Sequence, residues 1–198
     1  MAELDSGHYE RHAVAFDSVR RSRFVERPWI DRFLEHIPAG GVILDLGCGA
    51  GEPIDRYLIE RGHGVVGIDI SAPLIAIARG RFPDQDWRVG DMRTVAMDRG
   101  FAGIIAWDSL FHLGHDDQRA AIARMSAWLD PDGLLLFNSG PAHGEAIGSQ
   151  FGEPLYHASL SPEEYRARLE QTDMRVVAHA SGDEDAGGRT VWLAQKTR

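Results

Sequence analysis

A glycine-rich segment at residues 44–51 reads LDLGCGAG. It follows an apolar run and precedes a helical pattern, so its glycines can turn the backbone sharply and leave helix-terminal amides available to a ligand. A carboxylate, Asp69, ends the next apolar run, a position that suits the two hydroxyls of a ribose. This order of features predicts a nucleotide-binding site, and the alternative is a structural turn with a surface aspartate.

The spacing of the glycines separates two kinds of nucleotide. Dinucleotide sites carry the pattern G-x-G-x-x-G, whereas here Gly51 comes one position early and Asp45 precedes the loop. A pyrophosphate would be repelled by that carboxylate, while a ligand with an ammonium group would pair with it. The loop therefore favours a nucleotide that carries a positive amino group.

A second polar segment, residues 107–113, reads WDSLFHL. His112 is our candidate general base because imidazole titrates near neutral pH; the alternative is a histidine that caps the following loop. Trp107 and Phe111 would place aromatic faces near a cationic group, or would belong to the core.

These groups need a scaffold, and short apolar runs alternate with amphipathic stretches along most of the chain. That alternation predicts a parallel sheet covered by helices. The predicted strands are 42–46, 64–69, 87–89, 103–107, 134–138, 175–179 and 190–194. The predicted helices are 54–61, 73–82, 117–129 and 162–171, preceded by two more between residues 6 and 37.

Two connections differ from this regular alternation. Residues 138–161 predict a long irregular connection, which in a compact domain is often functional. The acidic, glycine-rich stretch SGDEDAGGR at 181–189 predicts a loose antiparallel connection between the last two strands. No internal repeat is evident, so one domain is expected.

Composition narrows the class of protein. The chain has 198 residues, of which 43% are apolar and 26% charged, and its formal net charge is -9. A negative charge of this size disfavours nucleic acid or an anionic membrane as a partner. The single cysteine, Cys48, cannot build a disulfide framework, and the polar start is unlike a signal peptide. We expect a complete, cytoplasmic chain.

Three segments resemble the motifs of the class I S-adenosylmethionine-dependent methyltransferases, in particular the small-molecule enzymes. LDLGCGAG is similar to the first motif, GIDIS at 67–71 to the second, and VGDM at 89–92 to the third. The resemblance covers nearly the whole chain. It implies an α/β, Rossmann-like, doubly wound sheet of seven mostly parallel strands with the last antiparallel, helices on both faces and an N-terminal helical lid.

The resemblance also implies roles for residues. The glycine loop would hold the methionine part of the cofactor, Asp69 the ribose and Asp91 the adenine amine, with Ile70 packed on the adenine. Tyr9 would bind the cofactor carboxylate, or would only pack on the sheet edge. The expected cofactor-binding residues are Tyr9, Asp45, Gly47, Cys48, Gly49, Gly51, Asp69, Ile70, Ser71, Asp91, Met92, Trp107, Asp108 and Ser109.

The acceptor molecule would lie on the same face of the sheet, in a polar pocket. Its expected contacts are Phe111, His112, His143, Tyr156 and His157. The tetrapeptide of amino-methylating nucleic-acid enzymes and the Pro-Cys pair of cytosine enzymes are both absent from the sequence. Asp108 and Asn138 alone make a poor magnesium site, so no metal is expected.

These features lead to one prediction and two alternatives. We expect a single methyltransferase domain, 1–198, with a helical lid (1–38), a cofactor-binding half (39–138) and a substrate-side part (139–198). It would be a monomer or homodimer that methylates an oxygen or nitrogen of a small metabolite and releases S-adenosylhomocysteine. The alternatives are a catalytically silent S-adenosylmethionine-binding module and a nicotinamide-dependent oxidoreductase, which the glycine spacing disfavours.

Overall fold

A seven-stranded sheet forms the centre of the protein, whose computed structural model describes residues 2–197, with side chains from residue 7. The sheet strands are β1 (Val42–Leu46), β2 (Gly64–Asp69), β3 (Asp86–Val89), β4 (Phe101–Ala106), β5 (Leu129–Ser139), β8 (Met174–Asp183) and β9 (Arg189–Lys196). A separate two-stranded hairpin consists of β6 (Gly144–Gln150) and β7 (Glu153–Ser159).

Seven α-helices surround the sheet. They are α1 (Ala2–Arg11), α2 (Ala13–Arg20), α3 (Arg27–Leu34), α4 (Ile54–Glu60), α5 (Ala72–Arg81), α6 (His115–Trp128) and α7 (Pro162–Gln171). Two of them begin at a serine cap followed by a proline in the first turn: the Ser71 hydroxyl accepts from the amide of Leu74, and the Ser161 hydroxyl from that of Glu164. Both caps satisfy an amide that the helix leaves unpaired.

The sheet order is β3-β2-β1-β4-β5-β9-β8. Strands β1 to β5 pair in parallel, while β9 is antiparallel to both neighbours. Successive strand residues point to opposite faces, and both faces are covered: Ile43 packs in the cluster that includes α3, α4 and α5, and Leu44 in the cluster that includes α6 and α7. The predicted fold class is confirmed.

The order of the strands reverses between β1 and β4, which start the two halves of the parallel sheet. At such a switch point the loops after neighbouring strands diverge and leave a crevice beyond the carboxyl ends. The predicted cofactor segments other than Tyr9, and the segment that carries His112, all follow β1, β2, β3 or β4. The topology therefore gathers them at one edge of the sheet.

The N-terminal region contains three helices rather than the predicted two. The chain leaves α2 after Arg20 and enters α3 at Arg27, and Glu26 is buried between them with its carboxylate paired to the Arg20 guanidinium. The additional break lies at His12, between α1 and α2, and helical periodicity does not mark it. The predicted apolar face is present in α3, where Trp29 and Phe33 are buried.

The connection predicted to be irregular, 138–161, contains the β6–β7 hairpin. Its turn is formed by Phe151 and Gly152, both with positive φ, as a two-residue primed turn requires. Strand β6 is mostly exposed and has no run of apolar residues, so its sequence lacks the alternation by which strands are identified. The final connection is antiparallel as expected.

Candidate active site

The glycine loop after β1 bends back onto the end of β2. The amide of Gly47 donates to the carbonyl of Ile68 over 2.7 Å. Gly47 has φ +87, and a Cβ there would lie 2.3 Å from the Cβ of Ser109. The Ser109 hydroxyl in turn donates to the carbonyl of Leu46. Only glycine permits this close contact between the loop and the segment after β4.

Asp69 fixes the second part of the loop. Its carboxylate accepts the amides of Gly49 and Ser71, each over 2.8 Å. Burial raises the pKa of Asp69, and these two hydrogen bonds oppose that rise. The carboxylate thereby links the glycine loop to the start of α5, and its oxygens keep lone pairs that face the cavity described next.

A cavity of about 130 Å³ lies beyond the carboxyl ends of β1, β2 and β4. Gly51 and Ser71 lie behind it: a Cβ on Gly51 would meet Phe82 and Trp87, and Ser71 caps α5. The other predicted cofactor residues line the cavity: Tyr9, Asp45, Gly47, Cys48, Gly49, Asp69, Ile70, Asp91, Met92, Trp107, Asp108 and Ser109.

Two buried carboxyl groups, those of Asp45 and Asp55, lie at this cavity. Burial raises the pKa of Asp45 to about 7, and it raises the pKa of Asp55 as well. Among the described side chains, Oδ1 of Asp45, both carboxyl oxygens of Asp55 and the indole N–H of Trp107 have no hydrogen-bond partner. Because unpaired buried polar atoms are costly, the cavity favours a ligand that supplies donors to the carboxyl groups and an acceptor to the indole.

Asp91, after β3, has a partner already. The Arg93 side chain donates to both of its oxygens, with Nε 3.0 and 2.9 Å away. Burial tends to raise the pKa of Asp91, but the hydrogen bonds from Arg93 outweigh it and hold the pKa below its usual value. The Asp91 carboxylate is therefore ionised and can accept a further donor in the cavity.

His112 has the charge state and tautomer of a base. Its Nδ1 lies 3.0 Å from the carbonyl of Tyr156, which can only accept, so Nδ1 carries the proton. Burial lowers the pKa of His112, opposed by that hydrogen bond and by nearby Asp108. The neutral ring therefore accepts through Nε2 the hydroxyl hydrogen of Tyr9, 3.0 Å away.

A wider cleft of about 870 Å³ adjoins the cavity between the N-terminal helices and the β6–β7 hairpin. Phe111 and His157 line it, with ring centroids 4.9 Å apart. The residues that line both spaces are Tyr9, Phe16, Arg20, Asp108 and His112. The cavity and the cleft therefore meet at the Tyr9–His112 hydrogen bond.

Two predicted substrate residues lie outside the lining of the cleft. The Tyr156 side chain is buried, and the carbonyl of this residue holds His112. His143 is exposed and stacks on His115, with ring centroids 4.4 Å apart. The structure thus brings together Phe111, His112 and His157 but not His143.

Comparison with known proteins places a family domain in the central part of the chain. Residues 43–133 match the family model described as a methyltransferase domain. This match and the relatives below support a class I S-adenosylmethionine-dependent methyltransferase. Its central region thus carries the methyltransferase motifs on the strands and loops described above.

Two curated relatives of the chain are methyltransferases. A dTDP-3-amino-3,6-dideoxy-alpha-D-glucopyranose N,N-dimethyltransferase of Streptomyces fradiae is 36% identical over 51% of this chain and 40% of its own length. A dTDP-3-amino-3,4,6-trideoxy-alpha-D-glucopyranose N,N-dimethyltransferase of Streptomyces venezuelae is 29% identical over 50% and 42%. The matched regions thus span less than half of these relatives.

The fold is shared with a solved methyltransferase. An amino pentose methyltransferase of Micromonospora echinaspora, solved with S-adenosylmethionine bound, superposes with a TM-score of 0.75 over 93% of this chain and 97% of that chain, at 22% identity. None of the helices within residues 2–197 is long and apolar enough to cross a membrane.

Sequence reasoning missed Arg189, which pairs with Asp108 where the cavity and the cleft meet. Its Nε and Nη2 donate to the two oxygens of Asp108 over 2.6 and 2.7 Å, while Asn138 donates to Oδ1 over 2.8 Å. Asp108 is held at positive φ by this network. Arg189 is the first residue of β9, far from Asp108 in the chain, so no local pattern identifies it. Asp55 was missed as well. It lies in α4, the helix after the glycine loop, and its position in the sequence does not show that its side chain reaches the cavity.

Proposed function

We propose that the protein binds S-adenosylmethionine in the cavity and methylates a nitrogen or oxygen of a small polar molecule in the adjoining cleft. The observation that carries this proposal is the junction of the two spaces, where Tyr9 and a neutral His112 line both. A methyl donor on one side and a nucleophile on the other would meet beside a base. The N-terminal helices, α1 above all, form the lid over this junction.

The cavity fits the cofactor at its unpaired polar atoms. An ammonium group would supply the donor that Asp45 lacks, and a carboxylate would accept from the indole N–H of Trp107. Asp69 would bind the ribose hydroxyls and Asp91 the adenine amine, as the family resemblance implies. When bound, S-adenosylmethionine supplies an electrophilic methyl group on a positively charged sulfur.

The protein's own contribution is position and proton removal. Nε2 of His112 takes up the proton at the end of the transfer. The Tyr9 hydroxyl, which already donates to Nε2, gives its own proton to His112 and takes the proton of the methyl acceptor. General base catalysis of this kind contributes about 10²- to 10⁴-fold to a rate. The lowered pKa of His112 keeps its base form available at neutral pH.

The acceptor is a polar molecule with little net charge. Four of the charged residues that line the cleft are paired within the protein, Arg189 with Asp108 and Arg20 with Glu26, and the other two, Arg23 and Glu145, carry opposite charges. Such a surface can bind a neutral polar molecule through hydrogen bonds, and it has no excess charge of one sign to attract an ion. The aminosugar N,N-dimethyltransferases among the relatives support an amino nitrogen as the methylated atom.

A transfer assay tests this function. The protein is incubated with methyl-labelled S-adenosylmethionine and a panel of small aminosugars, amines and alcohols, and labelled products are separated and identified by mass spectrometry. We expect transfer to at least one neutral, polar acceptor and a large loss of rate in His112→Ala. Binding of S-adenosylmethionine without transfer to any acceptor would favour the silent module, and binding of a nicotinamide dinucleotide instead would favour the oxidoreductase.

A further inference from the structure

A cluster of two histidines and a glutamate joins the N-terminal helix to the hairpin. His8 lies in α1, His12 follows it one helical turn later, and Glu153 begins β7. Residues four apart on a helical turn project from the same side, so both imidazoles face the hairpin. One ligand atom from each of the three residues lies within 4.8 Å of the other two.

The distances match those between the ligands of one metal ion. Nδ1 of His8 is 3.3 Å from Oε2 of Glu153, and Nε2 of His12 is 3.2 Å from Oε1. Ligands about 2.0–2.1 Å from a tetrahedral Zn²⁺ lie roughly 3.3 Å apart. The two imidazole–carboxylate distances therefore match such a site, and the ligand atoms of all three residues lie within 4.8 Å of one another.

The tautomer of His8 favours the same interpretation. Its Nε2 lies 3.0 Å from Oε1 of Gln150, an acceptor, so in the neutral ring Nε2 carries the hydrogen and Nδ1 presents a lone pair to Glu153. A histidine ligand is commonly oriented in this way, by a hydrogen bond from its second nitrogen. Gln150 would be that outer partner.

The ring of His12 gives a second, independent observation. Its Nε2 is buried and makes no hydrogen bond among the residues with described side chains, although the Glu153 carboxylate is close. This buried nitrogen lies 3.2 Å from Oε1 of Glu153, and a cation between the two atoms would give both a partner. Phe151 stacks on His12, with ring centroids 5.1 Å apart, and shields one side of the cluster.

The other charged group at the cluster is Arg11, whose Nη2 donates to Oε2 of Glu153 over 2.6 Å. This guanidinium keeps the carboxylate ionised and oriented, and a carboxylate has enough lone pairs to bind an arginine and a metal at once. Two imidazoles and one carboxylate suit a borderline transition metal better than Mg²⁺, which prefers oxygen ligands.

We propose that His8, His12 and Glu153 bind a single Zn²⁺-type transition-metal ion that fastens α1 to the β6–β7 hairpin. The consequence for the site is positional: Tyr9, next to His8, hydrogen-bonds to His112, so a fastened α1 would hold that hydroxyl in place. The metal site does not depend on the proposed methyl transfer.

The test is metal binding to the full chain after treatment with a chelator. Calorimetric titration with Zn²⁺ is expected to show one site per chain, titration with Mg²⁺ none, and Co²⁺ is expected to give the visible absorption of a tetrahedral complex. Zn²⁺ should also raise the Tm. Losing even an outer-shell partner costs about 10- to 100-fold in metal affinity, so His12→Ala and Glu153→Gln should each weaken Zn²⁺ binding at least about tenfold.

A matched histidine serves as the control. His143 is exposed and stacks on His115 outside the cluster, so His143→Ala should bind Zn²⁺ like the wild type. His12 and Glu153 are partly exposed, and circular dichroism checks that both variants fold. Absence of stoichiometric Zn²⁺ binding to the wild type, or unchanged Zn²⁺ affinity in both folded variants, would overturn the proposal.

Discussion

The cavity and the cleft adjoin each other, but they are formed by different parts of the chain. The cavity is formed mainly by loops that directly follow β1, β2, β3 and β4, and its key contacts involve backbone amides, such as that of Gly49 with Asp69. The cleft depends on side-chain pairs between distant segments, such as Arg189 with Asp108. The cavity is therefore sensitive to backbone shape, and the cleft to individual side chains.

The largest expected effect lies where the two regions meet. His112→Ala should lower kcat by about 10²- to 10⁴-fold, because the proton acceptor is lost, while the Kd for S-adenosylmethionine changes little. Steady-state kinetics and calorimetric titration measure the two quantities. The exposed His143, changed to alanine, should leave both as in the wild type.

His112→Ala should also change how the reaction rate depends on pH. The pKa of His112 lies below 6.5 because of burial, so the base is present above that pH and is lost as the pH falls through its folded-state pKa. Wild-type kcat/KM, which reports the groups of the free enzyme, should therefore decline on the acid side with a midpoint below that of a free imidazole, and His112→Ala should lack this decline. An unchanged acid limb in the variant would remove His112 from the proton transfer.

In the cavity, the expected effect is on cofactor affinity. Gly49→Val should weaken S-adenosylmethionine binding by about 100-fold or more, equivalent to about 2.7 kcal/mol. Gly49 has φ +56 and its Cβ position faces Phe16 at 3.4 Å on the cavity wall, so a branched side chain would strain the loop and enter the ligand space.

Gly62 provides the matched control for backbone strain. It has φ +85, and nothing lies within 4 Å of a Cβ placed there, so Gly62→Val adds comparable strain outside the cavity. It should lower the Tm without changing cofactor affinity. Equal losses of affinity in Gly49→Val and Gly62→Val would mean that strain, rather than ligand space, explains the first result.

The contrast between the two regions also explains why the sequence predicted the cavity better than the cleft. Strand and loop order located Asp45, Gly49 and Asp69, because each lies beside the element that positions it. The hairpin was not predicted, since its exposed strand β6 lacks apolar alternation. Arg189 could not be predicted either, because its role exists only once β9 lies beside β5 in the sheet.

On the cleft side, Arg189→Gln should raise the KM for the acceptor by roughly tenfold, with a smaller change in cofactor affinity. The substitution leaves Asp108 with Asn138 alone, and an unpaired, partly buried carboxylate is costly. Arg189→Lys should give an intermediate KM, because an ammonium cannot form the bidentate contact. An unchanged KM in Arg189→Gln would mean that the contact between Arg189 and Asp108 does not contribute to binding of the methyl acceptor.

The smallest effect concerns stability. Burial raises the folded-state pKa of Asp45 from 3.8 to about 7, so the folded protein holds more protons than the unfolded chain between those pH values, and its stability falls as the pH rises through that window. Asp45→Asn should remove this dependence and raise the free energy of unfolding at pH 8, while weakening cofactor binding. Denaturant unfolding at pH 4 and pH 8 measures the difference, which should be present only at the higher pH.

Cofactor selectivity tests the central claim most directly. The purified protein is titrated calorimetrically with S-adenosylmethionine, S-adenosylhomocysteine and NAD in parallel. The structure predicts binding of the first two, at micromolar Kd, without binding of NAD, because the cavity presents Asp45 to an ammonium group and has no place for a pyrophosphate beside it. Binding of NAD alone, or of none of the three, would contradict the assignment of the cavity and with it the proposed function.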